Sequence, residues 1–126
     1  MGHAIFVSSA RLHTGKYALA LGTRNIFGSI SQTLVTIPGR AYKLSYWILR
    51  QGADNPNNFF SAIWNGVEIP ASILTNPSVN IYVNYTFDVV ATNTRTVLTF
   101  RERNDLDYWR LDDISVVPKN KYSNYI

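Results

Sequence analysis

Residues Ala41 to Leu49 read A-Y-K-L-S-Y-W-I-L, a strict two-residue alternation. Tyr42, Leu44, Tyr46 and Ile48 fall on one side, and Lys43, Ser45, Trp47 and Leu49 on the other. Successive side chains of a β-strand point to opposite faces, so this period predicts a strand with one dry face. The Tyr42/Leu44/Tyr46/Ile48 side is the more apolar and is expected to point inward. Trp47 is then expected on the outer surface.

The same signal recurs on both sides of this stretch. Tyr17 to Leu21, Ser29 to Thr36, Asn58 to Trp64, Val67 to Ile69, Tyr85 to Ala91, Thr96 to Arg101 and Trp109 to Val117 read as strands. Asn65-Gly66 is a strong two-residue hairpin signal, and Thr92 to Arg95 reads as a turn joining another pair. Pro70 to Asn84 reads as a long connection. No window shows a sustained 3.6-residue period. Roughly eight short, closely spaced strands predict an all-β fold, an antiparallel β-sandwich of the jelly-roll kind. Residues 1–126 are expected to form a single domain, with its core over 12–117 and a frayed tail over 118–126.

Composition narrows the function. A hydrophobic fraction of 46% is that of a folded chain rather than a disordered one. No cysteine is present, which excludes disulfides and thiolate metal sites. No apolar run is long enough to span a membrane, and no secretion signal is visible. Net charge is +4, with Arg11, Lys16, Arg24, Arg40, Lys43 and Arg50 facing only Asp54 before Ala62. Those bases are scattered one per strand or turn, not clustered as a nucleic-acid module needs, so no nucleic-acid partner is expected.

The segment Thr99 to Val117 reads T-F-R-E-R-N-D-L-D-Y-W-R-L-D-D-I-S-V-V, two strands around a short polar loop. Tyr108 and Trp109 stand beside Arg103, Asn104 and Asp105, so flat apolar rings adjoin hydrogen-bonding groups. A sugar offers one apolar ring face and a hydroxyl rim, and this combination suits it. Trp47, Arg103, Asn104, Asp105, Tyr108 and Trp109 are therefore the candidate ligand-binding residues. Catalysis is not expected. The two histidines, His3 and His13, have no evident nucleophile beside them, and no two carboxylates are placed to flank a glycosidic bond.

Several segments in this order resemble a known family. Leu12-His-Thr-Gly-Lys-Tyr-Ala-Leu-Ala-Leu-Gly22 is similar to the H-S/T-G-x-Y-A-L-x-L strand of carbohydrate-binding-module-like jelly rolls. These belong to the galactose-binding-domain-like group that includes cellulose- and xylan-binding modules. Ile30 to Leu34, Tyr42 to Trp47, Phe60 to Gly66, Arg103 to Asp105 and Tyr108 to Val116 match its later strands. The resemblance implies a non-catalytic module that binds a polysaccharide or surface glycan outside the cell. It also implies a structural calcium ion, for which Asp112 and Asp113 map onto the family's final-strand aspartate, with Asp112 expected to face inward.

Two departures from the family pattern carry expectations. The usual first strand, N-G-x-F-E, is not recognisable, and with it goes the glutamate that would share the calcium. An uncovered sheet edge would have to be closed by Ala4 to Val7, by the Tyr122 to Ile126 tail, or by a strand from a neighbour. The last option supports an alternative reading, a structural subunit of a surface or filament assembly with homo-oligomer partners. The second departure is Glu102, whose burial would call for a partner such as Arg101, Arg103 or a cation.

Overall fold

The computed structural model describes residues 3–8, as backbone only, Gly15, and residues 18–119. His13, most of the Leu12 to Tyr17 run and the tail from residue 120 lie outside the described residues. The strands are β1 (His3–Ser8), β2 (Ala18–Thr23), β3 (Gly28–Val35), β4 (Ala41–Arg50), β5 (Phe59–Trp64), β6 (Val67–Glu68), β7 (Val83–Val90), β8 (Arg95–Arg103) and β9 (Trp109–Pro118). A single 3₁₀ turn, Pro70–Ser72, is the only helical element among the described residues. The strands form two sheets, a five-stranded one in the order β1-β2-β9-β4-β7 and a four-stranded one in the order β3-β8-β5-β6. All strand pairs within the sheets are antiparallel, which makes the fold an antiparallel β-sandwich.

The alternation in β4 reads as expected: Tyr42, Leu44, Tyr46 and Ile48 are buried between the sheets. From β5, Phe60, Ala62 and Trp64 meet them. Aromatic rings fill the centre. Tyr46 lies 5.1 Å from Phe100, edge to face, and Phe60 stacks on Phe100 at 5.7 Å. The hairpin at Asn65-Gly66 is also found, with φ of 49° and 83°, the positive values that a tight two-residue turn demands.

Two connections differ from the sequence reading. β7 pairs with β4, and β8 pairs with β3 and β5, so the turn at Thr92 to Arg95 joins the two sheets and does not close a hairpin. β8 and β9 likewise lie in opposite sheets, and the loop Asn104 to Tyr108 crosses between them. β9 also runs one residue further than expected, to Pro118.

The edge beside β2 is closed by the chain itself. β1 pairs with β2 from His3↔Thr23 to Ser8↔Ala18, so the Ala4 to Val7 stretch takes the place that a donated strand would have filled. Glu102 faces inward from β8 and is fully buried. Neither arginine is its partner among the described residues, because Arg101 and Arg103 alternate to the opposite face. Its carboxylate instead accepts from the Thr23 backbone N–H at 3.2 Å and from the Thr23 hydroxyl. Gly28 leaves room for this pair: a Cβ there would lie 2.2 Å from Thr23 Oγ1 and 2.6 Å from Glu102 Oε2.

Candidate functional site

One irregularity in β9 decides which side chains face the solvent. Ser45 pairs with Ser115 and Trp47 with Asp112, so Tyr46 of β4 stands opposite both Asp113 and Ile114. This is a β-bulge, and Asp113 carries its positive φ of 51°. The extra residue reverses the parity of the strand. Beyond it Val116 packs against the core, while before it Trp109 and Leu111 point inward.

Trp109 is consequently a core residue and not a sugar platform. It is fully buried, its ring centroid is 5.6 Å from that of Phe60, and its indole N–H donates to Arg103 O at 3.1 Å. Asp112 is corrected by the same argument. It is buried, as expected, but on the face shared with Tyr108 and Arg110 and not between the sheets, and its Oδ1 accepts the Asp113 backbone N–H at 2.8 Å. Asp113 is exposed at the bulge. Calcium requires six to eight oxygens, and no group of three acidic or histidine side chains converges among the described residues. Among the described residues, this aspartate pair lacks the further ligands that the calcium site implied by the resemblance would need.

The polar loop is a structural clamp. Asn104 is only 2% exposed; its Nδ2 donates to Gln51 O, and its Oδ1 accepts from the backbone N–H groups of Leu106 and Asp107. That local geometry turns the chain from one sheet to the other. Asp105 accepts from Arg103 Nε and Nη2, the Asn25 N–H and Asn57 Nδ2, at 2.7–3.3 Å. Arg103 first, then Asn25, hold its carboxyl down to about 2. With its oxygens so occupied, Asp105 organises three loops and offers little to a ligand. Arg50, near Gln51 at the same end, is spent similarly on Pro77 O, Gly52 O and Asp54 Oδ1.

What the fold does assemble is a half-open platform on the outer face of the five-stranded sheet. Trp47 is half-buried at its middle, paired in register with Asn84 of β7 on one side and Asp112 of β9 on the other. Next along β9 stands Arg110, whose guanidinium carbon lies 5.6 Å from the centroid of the Tyr108 ring. Arg110 Nε also donates to Gln51 Oε1, while its Nη1 is buried without a hydrogen-bond partner. Tyr82 packs near these groups: burial first, then Asp112, push its phenol up to about 12, with Arg110 opposing. Of the residues singled out from sequence, Trp47, Tyr108 and Asp112 share this face. Gln51, Tyr82, Arg110 and Asn84 join them, and of these Arg110 was legible in the i, i+2 spacing Tyr108–Arg110–Asp112.

No protein-family model matches the chain, and no curated protein sequence matches it. Solved structures do. A family 16 carbohydrate-binding module superposes with a TM-score of 0.70 at 14% identity, covering 92% of this chain and 86% of that one. The module TmCBM61, solved with β-1,4-galactotriose, gives 0.64 at 19% identity, covering 92% and 83%. The enzymatically active domain of bacteriophage CBA120 tailspike protein 4 gives 0.68 at 11% identity, covering 92% of this chain but 18% of that one. The fold is that of the carbohydrate-binding-module β-sandwich.

Proposed function

We propose that this protein is a non-catalytic carbohydrate-binding module that holds a polysaccharide or surface glycan, outside the cell, on the outer face of its five-stranded sheet. Trp47 supplies the stacking surface. Tyr82 and Tyr108 flank it, exposed Asn84 adds a polar group for sugar hydroxyls, and the buried Gln51, Arg110 and Asp112 underlie the platform. The placement of the three tryptophans supports this reading: Trp64 and Trp109 are core, whereas Trp47 is half-buried amid polar neighbours on the outer face of the sheet. An indole in that position presents an apolar face of about the size of a sugar ring, with hydrogen-bonding groups at its rim.

The structural-assembly reading has lost its main support, because β1 closes the edge that a neighbour's strand would have used. Affinity electrophoresis in gels containing xylan, β-glucan, galactan or mannan tests the proposal. At least one polymer retards the wild type, and Trp47→Ala abolishes that retardation while the far-UV circular dichroism is unchanged. A folded Trp47→Ala protein that is retarded as before refutes the assignment. Binding is expected to be micromolar to millimolar, since each stacked ring adds only about 1 kcal/mol beyond its burial.

A further inference from the structure

The outer face of the four-stranded sheet carries a second cluster that the Trp47 platform does not use. Arg101 of β8 lies in register between Ser29 of β3 and Ser61 of β5. Its guanidinium carbon stands 3.9 Å from the centroid of the Phe27 ring and 5.3 Å from that of Phe59. The two rings meet edge to face at 5.2 Å. Phe27 is nonetheless 43% exposed, an aromatic left open to solvent.

The charges around it are unequally satisfied. Arg103, two residues on, is tied to Asp105. Glu68 of β6, on the far side of β5 from Arg101, accepts from Ser61 Oγ at 2.7 Å. Among the described residues no carboxylate lies within ion-pairing distance of Arg101. Stacking engages the flat face of a guanidinium and leaves its in-plane N–H groups free for a planar anion. The turn that bears Phe27 is anchored by the Asn25–Asp105 bond, so the ring is held in place before any ligand arrives.

We propose that Phe27 and Arg101 form a second glycan site, specific for a uronic-acid residue of an acidic polysaccharide. The carboxylate pairs with the in-plane donors of Arg101, and the apolar side of the pyranose ring rests on the open part of Phe27. A neutral sugar would leave the arginine unmatched, and a bare anion would gain nothing from the phenylalanine. The excess of bases over acids in the first half of the chain adds long-range attraction for such a polymer.

Titration with polygalacturonate tests this, using neutral galactan and dextran sulfate as comparison polymers and thermal melting to verify folding. The wild type binds polygalacturonate. Arg101→Gln and Phe27→Ala each weaken that binding tenfold or more, Arg101→Lys does not restore it, and Trp47→Ala leaves this site active. Neutral-polymer binding follows the opposite pattern, lost in Trp47→Ala and kept in Arg101→Gln, so the two sites fail separately. Absence of polygalacturonate binding overturns the proposal. So does equal binding of polygalacturonate and dextran sulfate that is insensitive to Phe27→Ala, which marks mere charge attraction.

Discussion

Arg103 donates to both carboxylate oxygens of Asp105, at 2.9 and 3.0 Å, although only Asn104 lies between them in sequence. The same carboxylate takes the Asn25 N–H and the Asn57 amide, so one side chain ties the β2–β3 turn and the β4–β5 loop to the β8–β9 crossing. Residues that read in sequence as a ligand rim thus serve to fix the loops that frame both faces of the sandwich.

The Arg103–Asp105 clamp gives a pH dependence with a definite sign. The folded-state value of Asp105 is depressed from 3.8 to about 2, by the Arg103 bond first. Its contribution to stability is therefore complete above about pH 4 and is lost as pH falls toward 2. Denaturation midpoints measured from pH 5 to pH 2 are expected to fall less steeply in Asp105→Asn than in the wild type. High salt should shrink the difference, because the pair lies near the surface.

Trp109 belongs to stability and not to binding. Trp109→Ala removes a fully buried indole and is expected to cost about 3–5 kcal/mol in chemical denaturation. Trp47→Ala is expected to cost no more than about 1 kcal/mol. Equal costs for the two would contradict their placement.

Tyr46 is fully buried at the centre of the aromatic core, and its hydroxyl has no hydrogen-bond partner. Burial, with Tyr85 adding to it, raises its pKa far above the ordinary phenol value. Removing an unpaired buried hydroxyl relieves its desolvation cost while leaving the ring in place. Tyr46→Phe is accordingly expected to melt at or above the wild-type temperature, and a clear drop would mean that the hydroxyl is bonded after all.

Among the described residues no third acidic or histidine side chain joins Asp112 and Asp113, so calcium is not expected to act through them. Melting temperatures in excess calcium and in chelator should coincide for the wild type and for Asp112→Asn. A calcium-dependent rise that Asp112→Asn removes would restore the site that the resemblance implied.

The strands were legible because two-residue alternation is a property of the chain alone, and β4 and β5 followed it with their core sides as read. The outward side was less clear: Ser61 is buried by its bond to Glu68, and Leu49 is covered despite its parity. The principal error has one physical source. Alternation carried backward from Ile114 and Val116 through Asp112 turns Trp109 outward, and the bulge at Asp113 inverts that result. Adjacent aspartates, tolerant of positive φ, were the available hint. Sheet membership was hidden too. Whether a turn returns to the same sheet or crosses to the other depends on partners far away in sequence, as at Thr92 to Arg95. The burial of Asn104 likewise needed the distant carbonyl of Gln51.

The central claim is that Trp47 is the indole that meets sugar. Tryptophan difference spectroscopy with a bound oligosaccharide reads this directly, because Trp109 is fully buried and Trp64 largely so. A saturable ligand-induced spectral shift is expected in the wild type and is expected to vanish in folded Trp47→Phe. A shift of full amplitude in that variant, or saturable binding with no tryptophan perturbation at all, would contradict it.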